Sequence, residues 1–120
     1  MLESELILKI KQKPLSVNFE EVMQVIQDNY QYTPTQFING TIENQASTNE
    51  GSCKIFSFAK LHALSQEQTL NCFGRYYRED VLRNPNGKDH GNIRNFINSG
   101  WDGIKFSSLA LKASDKQIVN

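Results

Sequence analysis

The chain is 120 residues long, with 13 Lys plus Arg, 13 Asp plus Glu and two cysteines. That length suits one domain with a single core, which needs neither metal nor disulfide support. The charges balance and the basic residues are scattered, so neither nucleic acid nor an anionic membrane is an expected partner.

The start, Met1 to Lys11, lacks the basic opening, long apolar centre and small-residue cleavage site of a signal peptide. No stretch approaches the ~18–20 apolar residues of a membrane span. The expected compartment is therefore the cytoplasm, with Cys53 and Cys72 as reduced, unpaired thiols. In that compartment the sequon Asn39-Gly40-Thr41 carries no weight.

Taken in order, Leu2, Leu6, Ile7 and Ile10 have helical spacing, and Pro14 ends that helix. Asn18 followed by Glu21 forms a capping pattern. Phe19, Val22, Met23, Ile26 and Tyr30 then make the clearest amphipathic helix in the chain. Thr33-Pro34 disfavours helix, and Asn39-Gly40 between Phe37-Ile38 and Thr41-Ile42 predicts a hairpin with a type I′ turn.

The stretch Asn49 to His62 predicts a central helix. Its candidate N-caps are Asn49 or Ser52, and Cys53, Ile55, Phe56, Phe58, Ala59 and Leu61 make it apolar most of the way round. A capping box at Ser65 and Gln68 opens the next helix, whose buried stripe is Leu70, Phe73 and Tyr77, extending towards Val81. Asn84-Pro85-Asn86-Gly87 reads as turns. A further helix covers about Gly91 to Ser99, with Ile93, Phe96 and Ile97 inward. Gly100 then closes it in a Schellman motif that folds Trp101 onto Phe96. Ile104 and Phe106 predict a short strand, and Leu109 and Leu111 a second. The predicted class is α+β: one helix-rich domain over residues 1–112, with a small antiparallel sheet or hairpin and a polar tail over 113–120.

Chemistry has three candidate locations. Cys53 sits in the first turn of the central helix, where the dipole and free N–H groups favour a thiolate. Gly51-Ser52-Cys53 resembles the nucleophile segment of papain-like and related small cysteine peptidases; His62 or His90 would be the base and Asn92 or Asp89 its orienter. The plainer reading is a buried thiol, as free cysteines usually are. Lys88 to Arg94 is a second polar cluster, and its plainer reading is helix capping by Asp89 or Asn92 with Arg94 in a surface ion pair. Arg75 to Asp80 is the third, a charge-rich helix face that mixes Tyr with Arg as recognition surfaces do. His62 and His90 lack partners at metal-ligand spacing, so neither metal nor cofactor is expected.

The ligand-binding candidates are Asn49, Glu50, Gly51 and Ser52 at the central helix start, with Arg78, His90 and Arg94 supplying donors. The competing arrangement is internal, with Glu50 paired to Arg94 or Arg78 and Asn49 as a cap.

The segments Asn39-Gly40, Asn44, Asn49 to Phe56, Leu64-Ser65, Gln68 to Leu70, Cys72 to Gly74 and Tyr76 to Arg78 resemble the HopJ (HopPmaJ) type III effector family. Asp80 to Leu82, Asp89-His90, Asn92 to Arg94, Gly100-Trp101 and Gly103-Ile104 extend that similarity to about Leu111. The resemblance implies a bacterial protein whose family is named after one delivered into host cells, and type III secretion enters through that name alone. It carries no reaction or catalytic residue. The expected function is a small interaction module whose partner is a protein or a small polar ligand; the alternative is a cysteine-dependent enzyme using Cys53 with His90.

Overall fold

A computed structural model describes residues 1–114, and residues 115–120 of the predicted tail lie outside that range. The elements run α1 (Glu3–Gln12), a 3-10 turn (Pro14–Ser16), α2 (Phe19–Asn29), β1 (Tyr30–Tyr32), β2 (Phe37–Asn39), β3 (Ile42–Asn44) and α3 (Glu50–Leu61). They continue with α4 (Gln66–Asn71), a π-helical segment (Tyr76–Val81), α5 (Gly91–Ser99), a 3-10 turn (Gly100–Gly103), β4 (Ile104–Phe106) and β5 (Leu111–Ala113). This is the helix-rich α+β domain with a small antiparallel sheet that the sequence predicts.

Both capping patterns form reciprocally. Asn18 accepts from the Glu21 N–H while Glu21 accepts from the Asn18 N–H, and Ser65 and Gln68 do the same. Each pair satisfies donors that a helix start otherwise leaves open. Tyr30 leaves the α2 stripe, because its extended backbone begins β1.

The strands obey one register. Tyr30 lies opposite Ala113 and Tyr32 opposite Leu111, and Phe37 opposite Phe106 and Asn39 opposite Ile104 continue the same alignment. Hydrogen bonds from Thr33 N–H to the Ala110 carbonyl and from Ser107 N–H to the Gln36 carbonyl carry it inward from both sides. The two small sheets are thus one antiparallel ribbon interrupted at Pro34, which has no N–H to donate. Strand β5 runs through Ala113, into the stretch predicted as tail, while Leu109 stands out at 79% exposure instead of pairing.

The predicted hairpin exists, but its turn is displaced by one residue. Asn39 pairs with Ile42, so the loop is Gly40-Thr41. Gly40 has φ 62 and Thr41 is absent from the positive-φ residues, the pattern of a type II′ turn with glycine first.

Helix α3 is central, as its composition requires. Cys53, Ile55, Phe56, Phe58 and Ala59 are buried, though Leu61 is 52% exposed. The Phe56 ring is the hub of the core, with the Phe96 centroid at 4.8 Å, Phe73 at 5.5 Å, Phe37 at 6.0 Å and Trp101 at 6.4 Å. Trp101 meets Phe96 edge-on at 5.2 Å and donates its indole N–H to the Leu64 carbonyl. That contact matches the expectation, but Gly100 has ψ −158, outside the left-handed helical values of a Schellman motif. Ile97, predicted inward, is 36% exposed.

The helix after Ser65 is broken where one continuous run was expected. Gly74 adopts φ 60, and a Cβ there would lie 2.8 Å from the Phe19 backbone nitrogen. Only glycine permits both the conformation and that approach to the start of α2. The chain resumes as a π-helical turn, and Leu70, Phe73, Tyr77 and Val81 all stay buried despite the break.

Candidate functional site: a cleft between two helix starts

Helices α3 and α5 begin beside one cleft of about 490 Å³. Asn49, Gly51 and Ser52 come from α3, and His90, Gly91, Asn92 and Ile93 from α5. Phe19, Ile42, Phe73 and Tyr76 complete the wall. The volume falls within the roughly 300–1,000 Å³ of small-molecule sites, and the mix of apolar wall and few polar groups is typical of them.

The two helix starts share an unusual conformation. Asn49 has φ 50 and ψ 47, and His90 has φ 53 and ψ 48. An N-cap residue is ordinarily extended, with its side chain bonded to a first-turn N–H. Here both are left-handed and no side chain caps either helix. A left-handed residue followed by right-handed ones turns successive N–H groups towards one point, an anion-binding nest. Helix dipoles reinforce both nests. The first turn of α5 holds no acidic residue; that of α3 holds Glu50, which is exposed and does not line the cleft.

Each left-handed residue costs roughly 1–3 kcal/mol and persists only when its surroundings enforce it. Asn49 is held by its amide, which donates to Asn44 Oδ1 at 2.8 Å. His90 is held by Asp80, whose Oδ2 is 3.0 Å from Nε2, and by the Tyr76 ring at 5.4 Å.

Behind the cleft lies a buried asparagine network. Asn39 donates to the Asn92 carbonyl at 2.8 Å and to Asn92 Oδ1 at 3.0 Å. Asn44 donates to Asn92 Oδ1 at 3.1 Å, and Asn92 returns a bond to Asn44 Oδ1 at 2.9 Å. Asn95 adds a bond to the Asn39 carbonyl. The network ties β2 and β3 to the starts of both helices, so it fixes how the two nests face the cleft. Alternation along β2 carries a signal for part of it, since Asn39 shares the inward face of Phe37. The partners from α3 and α5 have no such sequence signal.

The structure brings together four of the seven predicted ligand-binding residues: Asn49, Gly51, Ser52 and His90. Gly51 admits a close neighbour, but the neighbour is the Phe19 ring, whose Cζ would lie 3.0 Å from a Cβ there. Arg78 is elsewhere. Its guanidinium donates to the carbonyls of Pro14, Val17 and Asn71 and to Asn71 Oδ1, clamping the π-helical segment to the α1–α2 link. Arg94 closes the preceding turn through the Asp89 carboxylate at 2.6 Å, the Asp89 carbonyl at 2.6 Å and the Asn84 carbonyl at 2.8 Å. The hydrogen bond from its guanidinium holds the Asp89 carboxyl below the usual carboxylate range. The expected pairing of Glu50 with Arg94 or Arg78 does not form; both arginines are committed to other partners.

Cys53 is fully buried and its thiol donates to the Thr35 carbonyl at 3.6 Å. Burial pushes its pKa up, opposing the dipole effect expected from the first turn. His62 caps the far end of α3 and bonds Glu3 and Tyr30, nine residues or about 13 Å along the helix from Cys53. His90 bonds Asp80, and no hydrogen bond joins either histidine to Cys53. Among the described residues, no three His, Cys, Asp or Glu side chains gather into a metal-holding group.

A single α+β domain with an antiparallel ribbon and a cleft between two uncapped helix starts is thereby defined. Residues 3–111 match the HopJ type III effector protein family, and the chain belongs to that family. It is also similar to the crystal structure of the unknown-function protein VPA0580. That protein is 50% identical, the similarity covers 95% of each chain, and the TM-score is 0.94. No curated protein matches it significantly. No helix among the described residues is long and apolar enough to cross a membrane.

Proposed function

We propose that this HopJ family chain is a small cytoplasmic binding module. Its cleft takes a ligand that carries a carboxylate or phosphate on an apolar or aromatic body. The observation that carries this reading is the convergence of two helix starts, each with a left-handed N-cap residue and no side-chain cap, on one cleft walled by Phe19, Phe73 and Tyr76. Free first-turn N–H groups would receive the anionic group and the rings its body. Two free, buried thiols support a reducing compartment.

The test is a titration with phenyl phosphate and benzoate, followed through the backbone amide signals of Gly51, Ser52 and Gly91. Saturable shifts at these three positions are expected. Ser52→Asp supplies the control, because an acidic residue in a first turn suits the helix dipole but repels an incoming anion. It should keep the fold and weaken binding by about tenfold. Failure of both probes to shift these amides, or unchanged binding to the Ser52→Asp variant, would refute the reading.

A further inference from the structure

A second concavity, of about 510 Å³, lies away from the helix starts, between the C-terminal half of α3 and the β4–β5 connection. Its walls include Leu61, Phe106, Leu109 and Leu111, with Ser57 and Lys60 as polar members. It lies where the ribbon loses its pairing. Pro34 faces Leu109 in the shared register, and the chain bends at Ser107, Ser108 and Ala110.

Two features are unspent by the fold. The Ser57 hydroxyl is not one of them: on a residue 8% exposed, it turns inward to the Cys53 thiol one helical turn back. Lys60 forms no ion pair among the described residues. Leu61 and Leu109 stand at the mouth with 52% and 79% of their surface exposed. Neither α3's buried face nor the ribbon covers them.

We infer that this groove binds a small anionic amphiphile, an alkyl carboxylate. The chain of the ligand lies on Leu61, Phe106, Leu109 and Leu111, and its carboxylate pairs with the Lys60 ammonium. Charge complementarity sets the sign of the ligand, since Lys60 is the charged side chain of the lining. Size argues for a small molecule, because a specific protein interface needs about 800 Å² from each partner and this groove is bounded by eight residues. This site is separate from the cleft at the helix starts and does not depend on it.

The experiment is an amide-resolved titration of the full chain with sodium octanoate below micelle formation, with octylammonium and octanol in parallel. Octanoate should shift Ser57, Lys60 and Leu109 saturably and more tightly than the other two. Lys60→Glu and Leu109→Asp, both at exposed positions, should each weaken octanoate by about fivefold or more while the melting temperature holds. The inference is overturned if octanoate gives no saturable shift there or acts only on Ser52, Tyr76 and His90. Equal binding of all three amphiphiles, or intact binding to both variants, would overturn it as well.

Discussion

Replacing Asn92 with alanine tests whether the buried asparagine network holds the cleft together. The change removes three hydrogen bonds: those that Asn92 Oδ1 accepts from Asn39 at 3.0 Å and Asn44 at 3.1 Å, and the one it returns to Asn44 at 2.9 Å. The losses are unequal. Asn39 keeps its bond to the Asn92 carbonyl at 2.8 Å, and Asn44 Oδ1 keeps the Asn49 amide at 2.8 Å. Asn44 Nδ2 retains only a long contact, 3.4 Å, to the Phe37 carbonyl. A nearly orphaned buried donor costs about 1–3 kcal/mol, and each of the other two bonds about 1 kcal/mol net. Asn92 also lines the cleft, so water entering the space left by the side chain recovers part of this. The expected loss is about 2–4 kcal/mol, or about 8–16 °C in melting temperature for a domain of this size. Urea unfolding should show a lower midpoint with an unchanged slope. Asn92→Asp should be worse near neutral pH and milder in acid, because a protonated carboxyl regains a donor towards Asn44 Oδ1. A loss below about 1 kcal/mol in Asn92→Ala would refute the claim that the network is a structural tie.

Arg78→Ala should cost about 3 kcal/mol, because the guanidinium serves three carbonyls that join the π-helical segment to the α1–α2 link. Arg78→Lys should not restore it, since one ammonium cannot reproduce the planar fork; equal stability of wild type and Arg78→Lys in urea would contradict this. Both thiols should resist alkylation at neutral pH until the protein unfolds, and modification as fast as in a model peptide would show that they are accessible. Burial raises the Cys72 pKa to about 12. The thiol is neutral in both states below its unfolded pKa near 8.5. Its contribution is therefore complete at neutral pH and fades as pH climbs from about 9 towards 12. Alkaline melting curves of wild type and Cys72→Ala should accordingly converge in slope below pH 8 and diverge above pH 9; parallel curves throughout would contradict this.

Much of the fold was readable from local chemistry. Capping at Asn18 and Ser65, the apolar wrap of α3 and the alternation through Ile104 and Phe106 are determined by neighbours in sequence, and each appears where that pattern puts it. Local patterns fail where a distant backbone intervenes. The helix after Ser65 breaks at Gly74 because the start of α2 presses against it, and the hairpin turn moves to Gly40-Thr41 because Asn39 is drawn inward to Asn92.

At the cleft the division is sharper. The sequence pointed to Asn49, Gly51 and Ser52 through helix-start chemistry, which is local, and to His90 as a donor from a segment expected to pack nearby. It also assigned Arg78 and Arg94 there as free donors, whereas a tertiary contact commits Arg78 to the α1–α2 link and Arg94 forms the surface ion pair of its plainer reading, with Asp89. Long, charged side chains reach several neighbours, and only packing chooses among them. The left-handed starts at Asn49 and His90 have only a weak sequence signature: Asn and His enter that region more readily than other non-glycine residues, yet seldom do so. They exist because Asn44 and Asp80, five and ten residues away, hold them. Which helices form was therefore a property of the chain; that two of them open onto one cleft was decided by the asparagine network that joins strands to helix starts across 48 and 53 residues of sequence.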